Sequence, residues 1–68
     1  MDAYRVAAAT DGTPLGAPFL AASLEDASVV LNARAHRPTA RSGCPYRLEV
    51  LVEAEPDFWA DTTVRAAS

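Results

Sequence analysis

The chain has 68 residues and a formal net charge of −3, and half of its residues are apolar. That length allows one domain. Fifteen of the 34 apolar residues are Ala, so large core side chains are scarce: six Leu, six Val, two Phe, two Tyr, one Trp and no Ile. A single Cys excludes an internal disulfide, and no apolar run approaches the roughly 18 residues that span a bilayer.

A chain this short removes only about 60% of its unfolded surface from water, so a thin core calls for a partner or a second copy. Apolar content is too high, and net charge too low, for a disordered chain. The N-terminus shows no basic region followed by an apolar stretch, so no signal peptide is visible and a soluble cytoplasmic protein is expected. The lone Cys44 fits a reducing compartment. Lys, Ile and Gln are missing while Ala and Arg abound, a bias typical of high-GC coding in a bacterium or its phages.

In chain order, residues 4–10 read as a strand with Tyr4, Val6 and Ala8 on one face. Asp11-Gly12 is a strong turn dipeptide. Residues 15–21 read as the returning strand, which Pro18 confines to a sheet edge or interrupts, because it has no N–H to give. Ser23 is a good N-cap, and Asp26 stands where a capping box puts its acid. A helix is expected over 24–36, acidic in its first turn and basic in its last, as the helix dipole favours. Leu24, Ala27, Leu31 and Ala35 form its apolar stripe; Val29 falls nearly opposite. Pro38 ends it. After a loop over 38–44, residues 46–54 alternate clearly as a strand. Tyr46, Leu48, Val50, Val52 and Ala54 face one way, and Arg47, Glu49, Leu51 and Glu53 the other. Glu55-Pro56-Asp57 reads as a turn. Residues 58–66 alternate as a fourth strand, with Phe58, Ala60, Thr62 and Val64 opposed to Trp59, Asp61, Thr63 and Arg65. The expected fold is α+β, of order β-β-α-β-β: a four-stranded antiparallel sheet with one helix packed on one face, its other face open to water.

Catalysis finds no complete set of residues. His36 and Cys44 lie eight positions apart without a nucleophile motif around them. One His and one Cys do not make a metal site, and no glycine-rich loop is present to cradle phosphate. The chain is therefore expected not to be an enzyme and to need no cofactor or metal. Charge is segregated: Arg34, Arg37, Arg41 and Arg47 fall in a stretch without acids, and Glu49, Glu53, Glu55, Asp57 and Asp61 in a stretch without bases. On a strand, alternate residues repeat every ~6.6 Å, so Glu49 and Glu53 are expected to form a carboxylate row on the open face, joined by Asp61, that imitates a phosphate backbone. Leu51 and Trp59 fall on the same face and supply apolar anchors of the kind that dominate interfaces. A one-residue slip would instead exchange Trp59 with Phe58 and send Trp59 into the core.

The stretch Phe19-Leu20-Ala21-Ala22-Ser23-Leu24-Glu25-Asp26-Ala27, together with the element order, resembles very small phage-encoded proteins, some type I anti-CRISPR proteins among them. The resemblance implies a non-enzymatic inhibitor that binds a host defence protein, often at its nucleic-acid channel; it carries over no functional residue.

The leading expectation is a protein-interaction module, most specifically a phage or mobile-element accessory. It would bind and modulate a larger host protein through Glu49, Leu51, Glu53, Trp59 and Asp61. One alternative is a nucleic-acid-binding module using Arg34, Arg37, Arg41 and Arg47, which the overall acidity disfavours. Another is a homodimeric structural or regulatory subunit whose core is completed across a two-fold axis.

Overall fold

The structure, a computed structural model, describes residues 1–55 and 57–67. It contains β1 (Asp2–Ala8), β2 (Phe19–Ala21), α1 (Leu24–Ala35), β3 (Pro45–Leu51) and β4 (Trp59–Ala67). The strands form one antiparallel sheet in the order β2-β1-β3-β4. The α+β fold expected from the sequence is the fold observed. No helix among the described residues is long and apolar enough to cross a membrane.

Alternation in β1 and β3 and the helical stripe of α1 build the core together. Tyr4, Val6 and Ala8 of β1 and Tyr46 and Leu48 of β3 meet Ala27, Leu31 and Ala35 of α1. Among the described residues, only Leu31, Leu48 and Val6 are large side chains completely withdrawn from water, so the core is as thin as the composition implies. Ser23 caps α1 as expected, its Oγ accepting from the Asp26 N–H at 3.1 Å. The helix ends at Ala35, the last residue of its apolar stripe and one short of the expected span, with His36 as the C-cap. Leu24, expected on the buried stripe, is the first residue of α1 and is 44% exposed.

β1 runs over Asp2–Ala8 rather than 4–10, because the chain turns after Ala8, whose carbonyl accepts from the Gly12 N–H. Three further boundaries differ from expectation for identifiable reasons. The second strand is three residues long rather than seven. Pro14 makes one isolated bridge to Ala7, and the chain leaves the ladder at Gly16 (φ 83°) before rejoining it after Pro18. β3 stops at Leu51 instead of running to Ala54, because the chain turns early: the Glu55 N–H donates to Val52 O and the Phe58 N–H to Glu55 O. Of the expected turn Glu55-Pro56-Asp57, Pro56 lies outside the described residues. β4 begins at Trp59, leaving Phe58 ahead of the strand and 53% exposed.

The β3–β4 ladder shifts register between Arg47 and Glu49, so that Leu48 faces a bulge in β4. Thr63 sits in that bulge at φ 69°, in the left-handed region that β-branched residues rarely enter. The interrupted ladder is repaired by a side chain: Thr62 Oγ1 donates to Leu48 O at 2.8 Å.

Candidate site on the uncovered sheet face

The face of the sheet away from α1 is organised in three rows across the strands, and the register defines each of them. Leu20 pairs with Ala3, and Leu51 with Trp59. Continuing the Tyr4–Val50 register by one residue places Ala3 beside Leu51. The first row is thus apolar and crosses all four strands: Leu20, Ala3, Leu51, Trp59. The second is Arg5, Glu49, Asp61, and the third Ala7, Arg47, Arg65.

Trp59 does stand on this face rather than in the core. It is half-buried, with the Arg5 guanidinium 4.6 Å from its ring centre, a cation–π contact. Leu51 is half-buried beside it, and Leu20 is 67% exposed. A shallow pocket of about 280 Å³ opens at this end of the face, between Met1, Asp2, Ala3, Leu20, Leu51 and Glu53. Leu20 and Ala3 were not expected here. Their place follows from the β1–β2 register, which could not be read from the sequence while Pro18 left that strand undefined.

The expected carboxylate row is corrected by the structure. Glu49 is 3% exposed. One of its oxygens accepts from Arg5 Nε and the other from Arg47 Nε at 2.8 Å, so it is a clamped structural ion rather than a free ligand. The two long arginine side chains, arriving from neighbouring positions on β1 and β3, close over it. Asp61 is also engaged: its oxygens accept from Arg65 Nη1 and Nη2 at 2.8 and 2.7 Å and from the Thr63 N–H at 2.8 Å. The Arg65 contact first, and the Thr63 N–H second, hold the Asp61 carboxyl well below the usual range, at about 2. Glu53 lies beyond the end of β3 and is exposed. The three acids therefore do not form a row of free charges. Besides Glu25 and Asp26 in the first turn of α1, the unengaged acids lie at the end of the sheet next to the apolar row. Asp2, Glu53, Glu55 and Asp57 are all exposed, and none makes an ion pair with a described residue.

Of the four arginines of the basic stretch, Arg34, Arg37 and Arg41 line two adjoining hollows, and Arg47 is carried to another surface. Arg47 lies on the uncovered sheet face, bound to Glu49. Arg41, in the loop after α1, pairs with Asp11 at 3.2 Å. Asp11 is lowered to about 2, by the Thr13 N–H first and then by Arg41. Arg34 Nη1, from the last turn of α1, donates to Ala17 O at 2.7 Å and to Leu15 O at 3.3 Å, and its guanidinium lies 5.0 Å from the centre of the Phe19 ring. Arg37 follows the helix and is exposed. His36 and Cys44 do not meet as a catalytic pair: His36 Nδ1 lies 2.7 Å from Asn32 O, and Cys44 Sγ donates to Pro45 O at 3.4 Å. Among the described residues, no group of three or more His, Cys, Asp or Glu side chains is placed to hold a metal ion.

No protein-family model, curated protein or solved structure matches this chain.

Proposed function

We propose that this protein is a non-catalytic interaction module that binds a larger partner protein through the uncovered sheet face. The observation that carries this reading is the apolar row Leu20–Ala3–Leu51–Trp59, which crosses the whole sheet and is covered by neither α1 nor a loop. Water-facing apolar groups concentrated in one band mark an interaction surface more than scattered ones do. The acids around that band, Asp2, Glu53, Glu55 and Asp57, select a partner with an apolar ridge flanked by basic groups, and they disfavour a like-charged one. A basic surface of that kind is what a nucleic-acid-handling protein presents. The sequence resemblance to small phage-encoded inhibitors agrees, and the most specific form of the proposal is a phage or mobile-element accessory that inhibits or modulates such a host protein.

The test is affinity capture from a high-GC bacterial host in the presence of nuclease, repeated with Leu20→Asp and Trp59→Ala. Leu20 is exposed at the sheet margin, so its substitution leaves the core untouched. The expected result is one stoichiometric partner, carrying a basic surface, whose affinity falls about 30-fold or more with either variant, the effect of losing one anchor residue. Undiminished capture by folded Leu20→Asp, or capture that disappears with nuclease, would overturn the proposal.

A further inference from the structure

Six arginines occur in the chain. Arg5, Arg41, Arg47 and Arg65 each hold a carboxylate. Arg34 and Arg37 hold none among the described residues, and both line one open pocket of about 220 Å³ with Leu15, Gly16, Ala17 and Thr39. This pocket lies at the C-terminal end of α1, away from the unpaired acids Asp2, Glu53, Glu55 and Asp57; the nearby Asp11 is paired with Arg41.

Arg34 is held in place before any ligand arrives. Its Nη1 is occupied by two backbone carbonyls and its guanidinium stands over Phe19. The connection at Gly16 is shaped around it: a Cβ there would stand 2.9 Å from Arg34 Nη1, and φ is 83°. Nε and Nη2 have no protein acceptor among the described residues. No buried side-chain nitrogen there lacks a partner, so these two donors are not sealed from solvent. The Nε–Nη2 edge offers two parallel N–H donors, the fork that matches a planar carboxylate. Arg37 adds a second cation and Thr39 a hydroxyl.

We propose that this pocket binds a side-chain carboxylate of an acidic peptide segment, at a site separate from the sheet face. Two further observations define the ligand. The carbonyl end of α1 contributes negative potential, which tolerates a monoanion better than a doubly charged phosphate. The pocket also shares Leu15 and Thr39 with a second hollow lined by Thr13, Pro14, Arg41 and Tyr46, so the two adjoin along a path that suits an extended segment. Tyr46 is buried, so this path offers no aromatic platform for stacking a nucleic-acid base.

The experiment is an amide NMR titration of the whole chain with a blocked tri-glutamate peptide, with glutarate and inorganic phosphate as parallel probes at matched ionic strength. Shifts are expected to centre on Gly16, Ala17 and Thr39. Arg37→Gln removes a side chain that makes no intramolecular bond among the described residues, so the fold is retained. It should weaken the peptide about tenfold or more, as loss of a charge-assisted bond does. Arg34→Lys keeps the charge but loses the fork and should weaken it similarly. Unchanged binding by Arg37→Gln, shifts spread over all the arginines, tighter binding of phosphate, or glutarate binding as well as the peptide would each overturn the proposal.

Discussion

Asp61 grips Arg65 through both carboxylate oxygens, at 2.8 and 2.7 Å, although the two residues lie four apart on one strand. On a regular strand that spacing is about 13 Å. The bulge at Thr63 shortens it, and the same Asp61 also accepts the Thr63 N–H. The ion pair and the backbone irregularity are one structure, and the irregularity stores strain at a β-branched residue.

Thr63→Gly should therefore stabilise the protein. Glycine adopts φ 69° at no steric cost, whereas a non-glycine residue held there costs on the order of 1–3 kcal/mol, partly returned as glycine's greater unfolded-state entropy. A net gain of about 1 kcal/mol corresponds to a rise in Tm of roughly 4–8 °C for a chain of this size. Thermal unfolding followed by circular dichroism reads it; an unchanged or lower Tm contradicts the strain at Thr63.

Glu49→Ala should be destabilising rather than selectively damaging to binding. Removing a buried partner leaves Arg5 and Arg47 facing each other uncompensated, a loss of about 3–5 kcal/mol in a dry interior. Both arginines are partly wet, with side chains 28% and 27% exposed, which reduces the expectation to about 2 kcal/mol. Urea unfolding measures it. A midpoint equal to the wild type's would show that Glu49 is dispensable to the fold.

Stability should fall in acid over a low window. Asp11 and Asp61 are each lowered from 3.8 to about 2. A carboxyl with a depressed folded value stabilises above its unfolded value and loses that contribution as pH drops through the folded one. The loss therefore runs from about pH 4 down to about pH 2. The double variant Asp11→Asn/Asp61→Asn should show a flatter Tm profile across that window; an equally steep profile would assign the acid sensitivity to other groups.

Trp59 provides an optical readout. It is half-buried beneath Arg5, so free protein should emit between the values for buried and fully hydrated indole. Arg5→Gln should raise its quenching by acrylamide, because the cation no longer covers the ring. Emission and quenching identical to those of unfolded chain would place Trp59 outside the sheet.

What was legible in the sequence was local. Ser23 could be recognised as a cap because capping needs only a hydroxyl three residues before a free N–H. The faces of Val6 and Leu48 followed from alternation alone, whereas that of Trp59 stayed open to a one-residue slip until its pairing with Leu51 decided it. Glu49 could not be read this way: alternation assigns it to the open face, correctly, but its burial depends on Arg5, 44 positions away, and on the length of two side chains folding over it. The bulge was equally hidden, because nothing about Thr at position 63 announces a positive φ. The basic stretch looked continuous in sequence, yet β3 carries Arg47 to the uncovered sheet face, away from Arg34, Arg37 and Arg41.

The bulge has one more consequence. β4 is nine residues long and is bonded to a neighbour on one side only. A straight strand in that position is a template on which other chains polymerise. With the backbone displaced at Thr63, an incoming strand can follow the ladder from Trp59 only to the middle of β4 before its hydrogen bonds fall out of step. At the opposite margin, β2 offers a mere three residues. The fold thus keeps its sheet from propagating, by backbone geometry alone and without a single lysine.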